Sequence, residues 1–237
     1  MKNRTPVYII CSPSGRVGKT TTARLLADYF LLSGRSFVGF DTDPHEPVFA
    51  TRFPQQVVVA DLNTVQGNMA LFDPLLVNDE VPKVVDLWHR SMEGFFALLE
   101  DTEFVAEARR ASVEPVLLFM ADGSVHSAEV AEGLARRYPE VTMVTVINEG
   151  AAPLGEVSLD LLARYPASRI FKIAALDPIL RQTIEAPGFS LSRFILAPPT
   201  GMSIVVRSGL KSWLARILAQ FQSFEFSMTL EQTEHLG

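Results

Sequence analysis

The chain has 237 residues, 48% apolar (AVILMFWYC) and 20% charged, which is material for one large or two small cores and excludes a disordered or fibrous protein. Lys and Arg number 21 against 27 Asp and Glu; the net charge of −6 argues against a dedicated nucleic-acid coat and leaves room only for a local basic patch. The single cysteine, Cys11, excludes a disulfide framework, a C-x-x-C redox pair and a thiolate zinc cage within one chain, and fits a reduced, cytoplasmic setting. The start of the chain lacks a signal-peptide core, and no apolar run approaches the ~20 residues of a membrane helix, so the chain reads as soluble, without a membrane segment.

Residues 7–11 form a β-rich run that closes in a turn-rich stretch, 12–15. Over 20–32 the apolar positions Ala23, Leu26, Ala27, Phe30 and Leu31 recur at helical spacing, with Gly34 as the stop. Residues 37–40 are a second strand, closed by Asp41-Thr42-Asp43-Pro44; strand, helix and strand of these lengths make a βαβ unit with parallel strands. A short apolar run over 57–60 and a helix over 69–77 follow, then a strong strand within 81–87 that ends at Asp86. Helices are expected over 95–99, 104–111 and 128–137, strands over 116–120, 141–147 and 170–174, and a terminal helix over 202–221. This alternation predicts an α/β fold of three layers, a mostly parallel central sheet with helices on both faces. With no repeat, low-complexity tract or linker, residues 1–237 are expected to form one domain that ends in a flexible acidic tail.

Between the first strand and the first helix lies Ser14-Gly15-Arg16-Val17-Gly18-Lys19-Thr20-Thr21. Phosphate binding needs inward-turned N–H groups, and glycines let the backbone approach the oxygens. The loop 15–18 supplies such groups, and the helix beginning near Lys19 adds its positive dipole end. In that arrangement Lys19 reaches the β- and γ-phosphates, the Thr20 hydroxyl ligates Mg²⁺ and Thr21 donates to the α-phosphate. The strict G-x-x-x-x-G-K-[ST] pattern fails at its first glycine, which falls on Pro13. A chance Gly-Lys-Thr in a strand-to-helix turn is the alternative; the order strand, loop, Gly18-Lys19-Thr20, helix favours a nucleotide site.

These motifs resemble the deviant Walker A P-loop ATPases of the ParA/MinD family. Their loop usually reads K-G-G-V-G-K-T, against S-G-R-V-G-K-T over 14–20, and their second strand usually ends in D-x-D-P, against D-T-D-P over 41–44. The resemblance covers the first fifth of the chain. It implies a cytoplasmic Mg·ATP-dependent ATPase whose nucleotide state switches homodimerisation or binding of a protein partner, as in partition, conjugal transfer or protein positioning. It also implies that Asp43 positions or activates the attacking water and that Asp41 is an outer magnesium partner; a D-P turn capping a strand is the ordinary reading of both. For the Walker B carboxylate that closes a buried apolar strand, Asp86 is preferred over its rival Asp61, because a helical segment separates it from the second strand. Asn148, after the strand over 141–147, matches the asparagine that reads the adenine edge, and an ordinary turn residue would look the same. Residues 172–177 resemble the loop flanking the base, with Ala174 in place of the proline.

Ser14 departs from the pattern, because the family's lysine at this position reaches the other subunit's phosphates. Arg16, where the family has glycine, is either a substitute arginine finger or a surface arginine. Two further readings therefore stand beside the hydrolysing switch: a nucleotide-gated scaffold that hardly hydrolyses, and a small-molecule ligase of the dethiobiotin-synthetase type, for which no substrate cluster accompanies the loop. The relatives with iron–sulfur or metalloid chemistry need several cysteines.

The histidines, His45, His89, His126 and His235, show no metal-ligand spacing; His45 and His89 fall near the nucleotide motifs, where ordinary polar loop roles account for them. Arg109-Arg110 and Arg136-Arg137 offer a DNA-tracking patch, but both pairs sit at expected helix C-termini, where cations complement the dipole. In the terminal helix Val206, Leu210, Trp213, Leu214, Ile217 and Phe221 share one face. The acidic residues after it favour packing on the sheet over a membrane-bound amphipathic helix.

Overall fold

In a computed structural model, which describes residues 4–151, 161, 163–165 and 169–234, strand β1 (Thr5–Cys11) alternates its side chains between two cores. Tyr8 and Ile10 enter one core; Val7, Ile9 and Cys11 enter the other. Chain order continues with α1 (Lys19–Leu32), β2 (Val38–Asp41), α2 (Val48–Arg52), β3 (Val57–Val59), α3 (Val65–Leu75) and β4 (Lys83–Asp86). After α4 (Met92–Asp101) and α5 (Phe104–Arg110) come β5 (Val113–Ala121), α6 (Val125–Arg137), β6 (Thr142–Asn148) and β7 (Arg169–Ile173). Three helices close the described chain: α7 (Pro178–Glu185), α8 (Leu191–Leu196) and α9 (Ile204–Glu234).

The strands form one seven-stranded sheet in the order β3-β2-β4-β1-β5-β6-β7, and every pairing is parallel. Helices α1, α2, α7, α8 and α9 cover one face, and α3 to α6 the other. The expected three-layer α/β architecture is the observed one. Because all strands run the same way, their C-terminal ends share one edge of the sheet, with the order reversing around β1. Register there is tight: Asp86 stands beside both Ile10 and Asp41, and Asn148 beside Ile173.

Several elements differ from the sequence expectation for local reasons. Helix α3 begins at Val65, earlier than 69, because the Thr64 hydroxyl accepts from the Gly67 N–H at 2.9 Å and caps it. Gly67 has no alternative, since a Cβ there would stand 2.0 Å from the Asp61 carbonyl oxygen. The short helices α2, α7 and α8 were not expected; α7 carries the Asp-Pro start signal, with Asp177 Oδ1 accepting from the Ile179 N–H at 2.9 Å and Pro178 in the first turn. The expectation of a flexible acidic tail after 221 is corrected, because α9 continues to Glu234. Phe221, Phe224 and Met228 keep the three–four spacing and are buried, a stripe hidden in the sequence by Glu225 within it and the glutamates that follow. Glu225 then clamps α9 to α1 and β1: it accepts from Arg35 at 3.1 and 2.6 Å, from the Tyr29 hydroxyl at 2.7 Å and from the Tyr8 hydroxyl at 3.3 Å.

The apolar face of α9 packs as expected, with Leu210, Trp213, Leu214, Ile217 and Phe221 buried and Lys211 and Arg216 exposed. Among the described residues no helix is long and apolar enough to cross a membrane.

Candidate functional site

The chain leaves β1 through Ser12 and Pro13 into a loop whose backbone alternates in hand. Arg16 (φ 61°) and Gly18 (φ 96°) are left-handed and the residues between and beside them are not, the geometry that turns successive N–H groups into one concavity. Gly18 is required twice over: its φ favours glycine, and a Cβ would meet Asn148 Nδ2 at 2.1 Å. Helix α1 starts at the next residue, so its unpaired N–H groups and dipole end face the same space.

That space is a cavity of about 690 Å³ at the C-terminal edge of the sheet. Gly15, Arg16, Gly18, Lys19, Thr20, Thr21, Asp41, Asp43, Asp86 and Asn148 all line it, so the structure brings together every residue singled out for the site except Val17. Val17 is buried, and its carbonyl accepts from the Asn148 amide at 3.2 Å. Lys19 is largely buried and lies across the loop, donating from Nζ to the Ser14 carbonyl at 2.6 Å. Burial holds its ammonium below the usual lysine range, against the pull of Asp86.

The three carboxylates differ in environment. Asp86 is fully enclosed, and burial pushes its acid up to about 7; the Thr20 hydroxyl and Lys19 oppose this while Asp41 and Asp43 add to it. Asp41 also sits above the usual carboxylate range through burial, although backbone N–H groups engage both its oxygens: Asp43 at 3.1 Å on one, Phe49 at 2.9 Å and Ala50 at 3.2 Å on the other. It thereby fixes the segment that carries Asp43. Asp43 Oδ1 accepts from the N–H groups of His45 and Glu46 at 3.0 and 3.1 Å, an Asx turn just beyond β2 that holds Asp43 in the cavity wall on the same side as Asp41, two residues before it. Asp61 instead caps the turn after β3, its Oδ1 taken by Asn63 at 3.0 and 2.8 Å, and does not line the cavity.

The other end of the cavity lies past β6 and β7. Asn148 divides its amide between the Val17 carbonyl and the Gly150 N–H, which donates to Oδ1 at 3.1 Å. From the 172–177 segment Ile173, Ala174 and Leu176 line the wall, and Trp213 Nε1 donates to the Ala174 carbonyl at 2.7 Å. Sequence reasoning missed Arg181, Ile184 and Glu185 of α7 and the Trp213 ring at this end; the Asp177-Pro178 start signal was the clue to α7.

Sequence reasoning also missed what holds Ser14. Its hydroxyl pairs with Asp122, just beyond β5, and Asp122 also takes the Ser124 N–H at 2.8 Å. Burial works against the Asp122 charge, yet these hydrogen bonds hold its carboxyl below the usual range.

His89 lines the cavity, His45 is exposed and packs edge-on to Trp88, His126 is exposed on α6, and His235 lies outside the described residues. Among the described residues no group of three or more His, Cys, Asp or Glu is arranged to hold a metal ion. Each arginine of the two basic pairs faces a glutamate: Arg109 with Glu140, Arg110 with Glu107, Arg136 with Glu132 and Arg137 with Glu100.

Two comparisons place this architecture among known proteins. Among solved structures the chain is similar to a nucleotide-binding protein from Archaeoglobus fulgidus in complex with ADP, at 15% identity over 76% of this chain and 85% of that one, with a TM-score of 0.50. It also matches the MinC:MinD cell division protein complex of Aquifex aeolicus at 13% identity, covering 91% of this chain and 96% of that one, with a TM-score of 0.43. Comparison with curated proteins gave no match. The family model described as the CobQ/CobB/MinD/ParA nucleotide binding domain matches residues 8–177, from within β1 to the start of α7. The chain belongs to this ParA/MinD-type family of nucleotide-binding domains.

Proposed function

We propose that the cavity binds Mg·ATP and that the chain is a cytoplasmic ATPase whose nucleotide state switches homodimerisation or the binding of a protein partner. The observation that carries this reading is the convergence of Lys19, Thr20, Asp86 and Asp43 at the N-terminus of α1. A triphosphate laid in the loop meets backbone N–H groups, a helix end and an ammonium. The donor set suits magnesium: Thr20 and Asp86 are hard oxygen donors already in contact, and Mg²⁺ needs only one or two protein oxygens beside phosphate and water. Held there, the ion would neutralise charge on the phosphate oxygens, with Asp41 as an outer partner.

Asp43 Oδ2 has no hydrogen-bond partner among the described residues and is free to accept from a water aligned with the terminal phosphate. The opposite end, Asn148 with Ile173, Ala174 and Trp213, offers an amide and apolar walls for a base. The Archaeoglobus fulgidus protein of like fold is in complex with ADP, which supports a nucleotide as the ligand class. A second reading, a nucleotide-gated scaffold that hardly hydrolyses, is favoured by one observation: Ser14 is uncharged and tied to Asp122, so this position supplies no cation to a second subunit.

Phosphate release, run beside light scattering with and without Mg·ATP, tests the reading. Wild type is expected to release phosphate and to change mass with ATP. Asp43→Asn is expected to bind ATP and turn over at least about tenfold more slowly. Unchanged turnover in Asp43→Asn removes the role of Asp43, and wild-type release no faster than that of Lys19→Ala selects the scaffold.

A further inference from the structure

His89 opens the 3₁₀ turn His89–Ser91, just beyond the end of β4 that presents Asp86. Backbone contacts fix this turn: the Leu87 N–H donates to the Ile10 carbonyl at 3.1 Å, the Trp88 N–H to Thr42 Oγ1 at 2.8 Å and the Ser91 N–H to the Trp88 carbonyl at 3.0 Å. The Trp88 ring is gripped by His45, with centroids 5.5 Å apart, and by the Arg90 guanidinium, 5.5 Å from its centroid. His89 is thus delivered to the cavity from a set position.

The imidazole lies against the phosphate loop. A Cβ on Gly15 would stand 3.3 Å from its Cε1, 3.5 Å from Nδ1 and 3.6 Å from Nε2, so the ring fills the space that a side chain at 15 would need. None of the hydrogen bonds among the described residues uses either ring nitrogen, although the ring is partly buried beside Lys19 and Asp43. An imidazole held in place, lining a cavity and left with both nitrogens unused is available to a ligand.

Strand order says which part of the ligand it meets. Asn148, Ala174 and Trp213 mark the β6–β7 end of the cavity, whereas Asp43 and Asp86 mark the β2–β4 end, with the loop after β1 between them. A nucleotide with its base at the first end directs its last phosphate towards the second, where His89 stands.

We propose that His89 donates a hydrogen bond to the terminal phosphate of a bound nucleoside triphosphate, making the site hold a triphosphate in preference to a diphosphate. The proposal rests on the nucleotide reading given above. Ser14 adds no charge at this end, so His89 joins Lys19 and Arg16 as the nitrogen donors there.

Equilibrium titration of Mg·ATP and Mg·ADP into wild type, His89→Ala and His89→Phe tests it, the phenyl ring keeping the packing on Gly15 without the nitrogens. Both variants are expected to bind ATP at least about tenfold more weakly while ADP affinity stays within about twofold, the size of a lost charge-assisted hydrogen bond. Equal losses for the two nucleotides, or none, overturn the assignment to His89 and leave the nucleotide site standing. A wild type that binds neither nucleotide overturns the site and the assignment together. In the wild-type protein, which needs no substitution to fold, the His89 ring ¹⁵N resonances are expected to move when a non-hydrolysable triphosphate replaces ADP; unmoved resonances overturn the proposal.

Discussion

Asp86→Asn separates what the site needs from what the fold needs. In an unfolded chain the Asp86 carboxyl titrates near its ordinary ~3.9, whereas burial in the folded protein pushes it up to about 7. A carboxyl raised in this way holds a proton in the folded state that the unfolded state has lost, so its contribution is intact below pH ~4 and disappears as pH rises through about 7. Three units at about 1.36 kcal/mol each put the full effect near 4 kcal/mol, an upper bound that local water and relaxation reduce to about 2–4 kcal/mol. Asparagine has the same shape and no charge to desolvate. Urea unfolding of ligand-free wild type and Asp86→Asn from pH 4 to pH 8 is therefore expected to give nearly equal stabilities at pH 4 and a variant more stable by about 2–4 kcal/mol at pH 8. Comparing the two proteins cancels the other groups that titrate in this range. The same variant is expected to lose Mg·ATP binding, the pattern of a residue kept for function at a cost in stability. A stability difference that does not change with pH refutes the electrostatic account of Asp86.

Gly18→Ala adds left-handed strain of about 1–2 kcal/mol and drives a methyl group into the Asn148 amide, so calorimetry is expected to show Mg·ATP affinity at least about tenfold lower with the fold retained. Glu225→Ala leaves the buried Tyr8 hydroxyl without its acceptor and frees Arg35, and urea titration is expected to show a loss of about 2 kcal/mol. Cys11 is fully buried, and burial pushes its thiol up to about 12; a disulfide reagent at pH 8 is expected to leave the folded protein unmodified and to label one thiol after unfolding.

What could be read from the sequence follows the physics of each signal. The parallel sheet was legible because strands buried on both faces are continuous apolar runs, and the loop because Gly18-Lys19-Thr20 sits where strand gives way to helix. Asp41 and Asp43 were visible as a pair whose i, i+2 spacing puts them on one side, but the backbone N–H groups that hold each carboxylate are set by the turn after β2, which no spacing rule reports. Trp213 and α7 come to the cavity through tertiary packing from the far end of the chain. The Ser14–Asp122 pair likewise joins two strand ends, neighbours only once β1 lies beside β5. The acidic stretch of α9 was misread because charge was weighed above the stripe of Phe221, Phe224 and Met228.

Titration calorimetry of Mg·ATP with wild type and Lys19→Ala tests the central claim most directly. The account predicts saturable binding at one site per chain in wild type and none at the same concentrations in Lys19→Ala, with both proteins melting cooperatively. Equal binding by the two proteins would contradict it, because the loop at the head of α1 would then not be where the nucleotide sits.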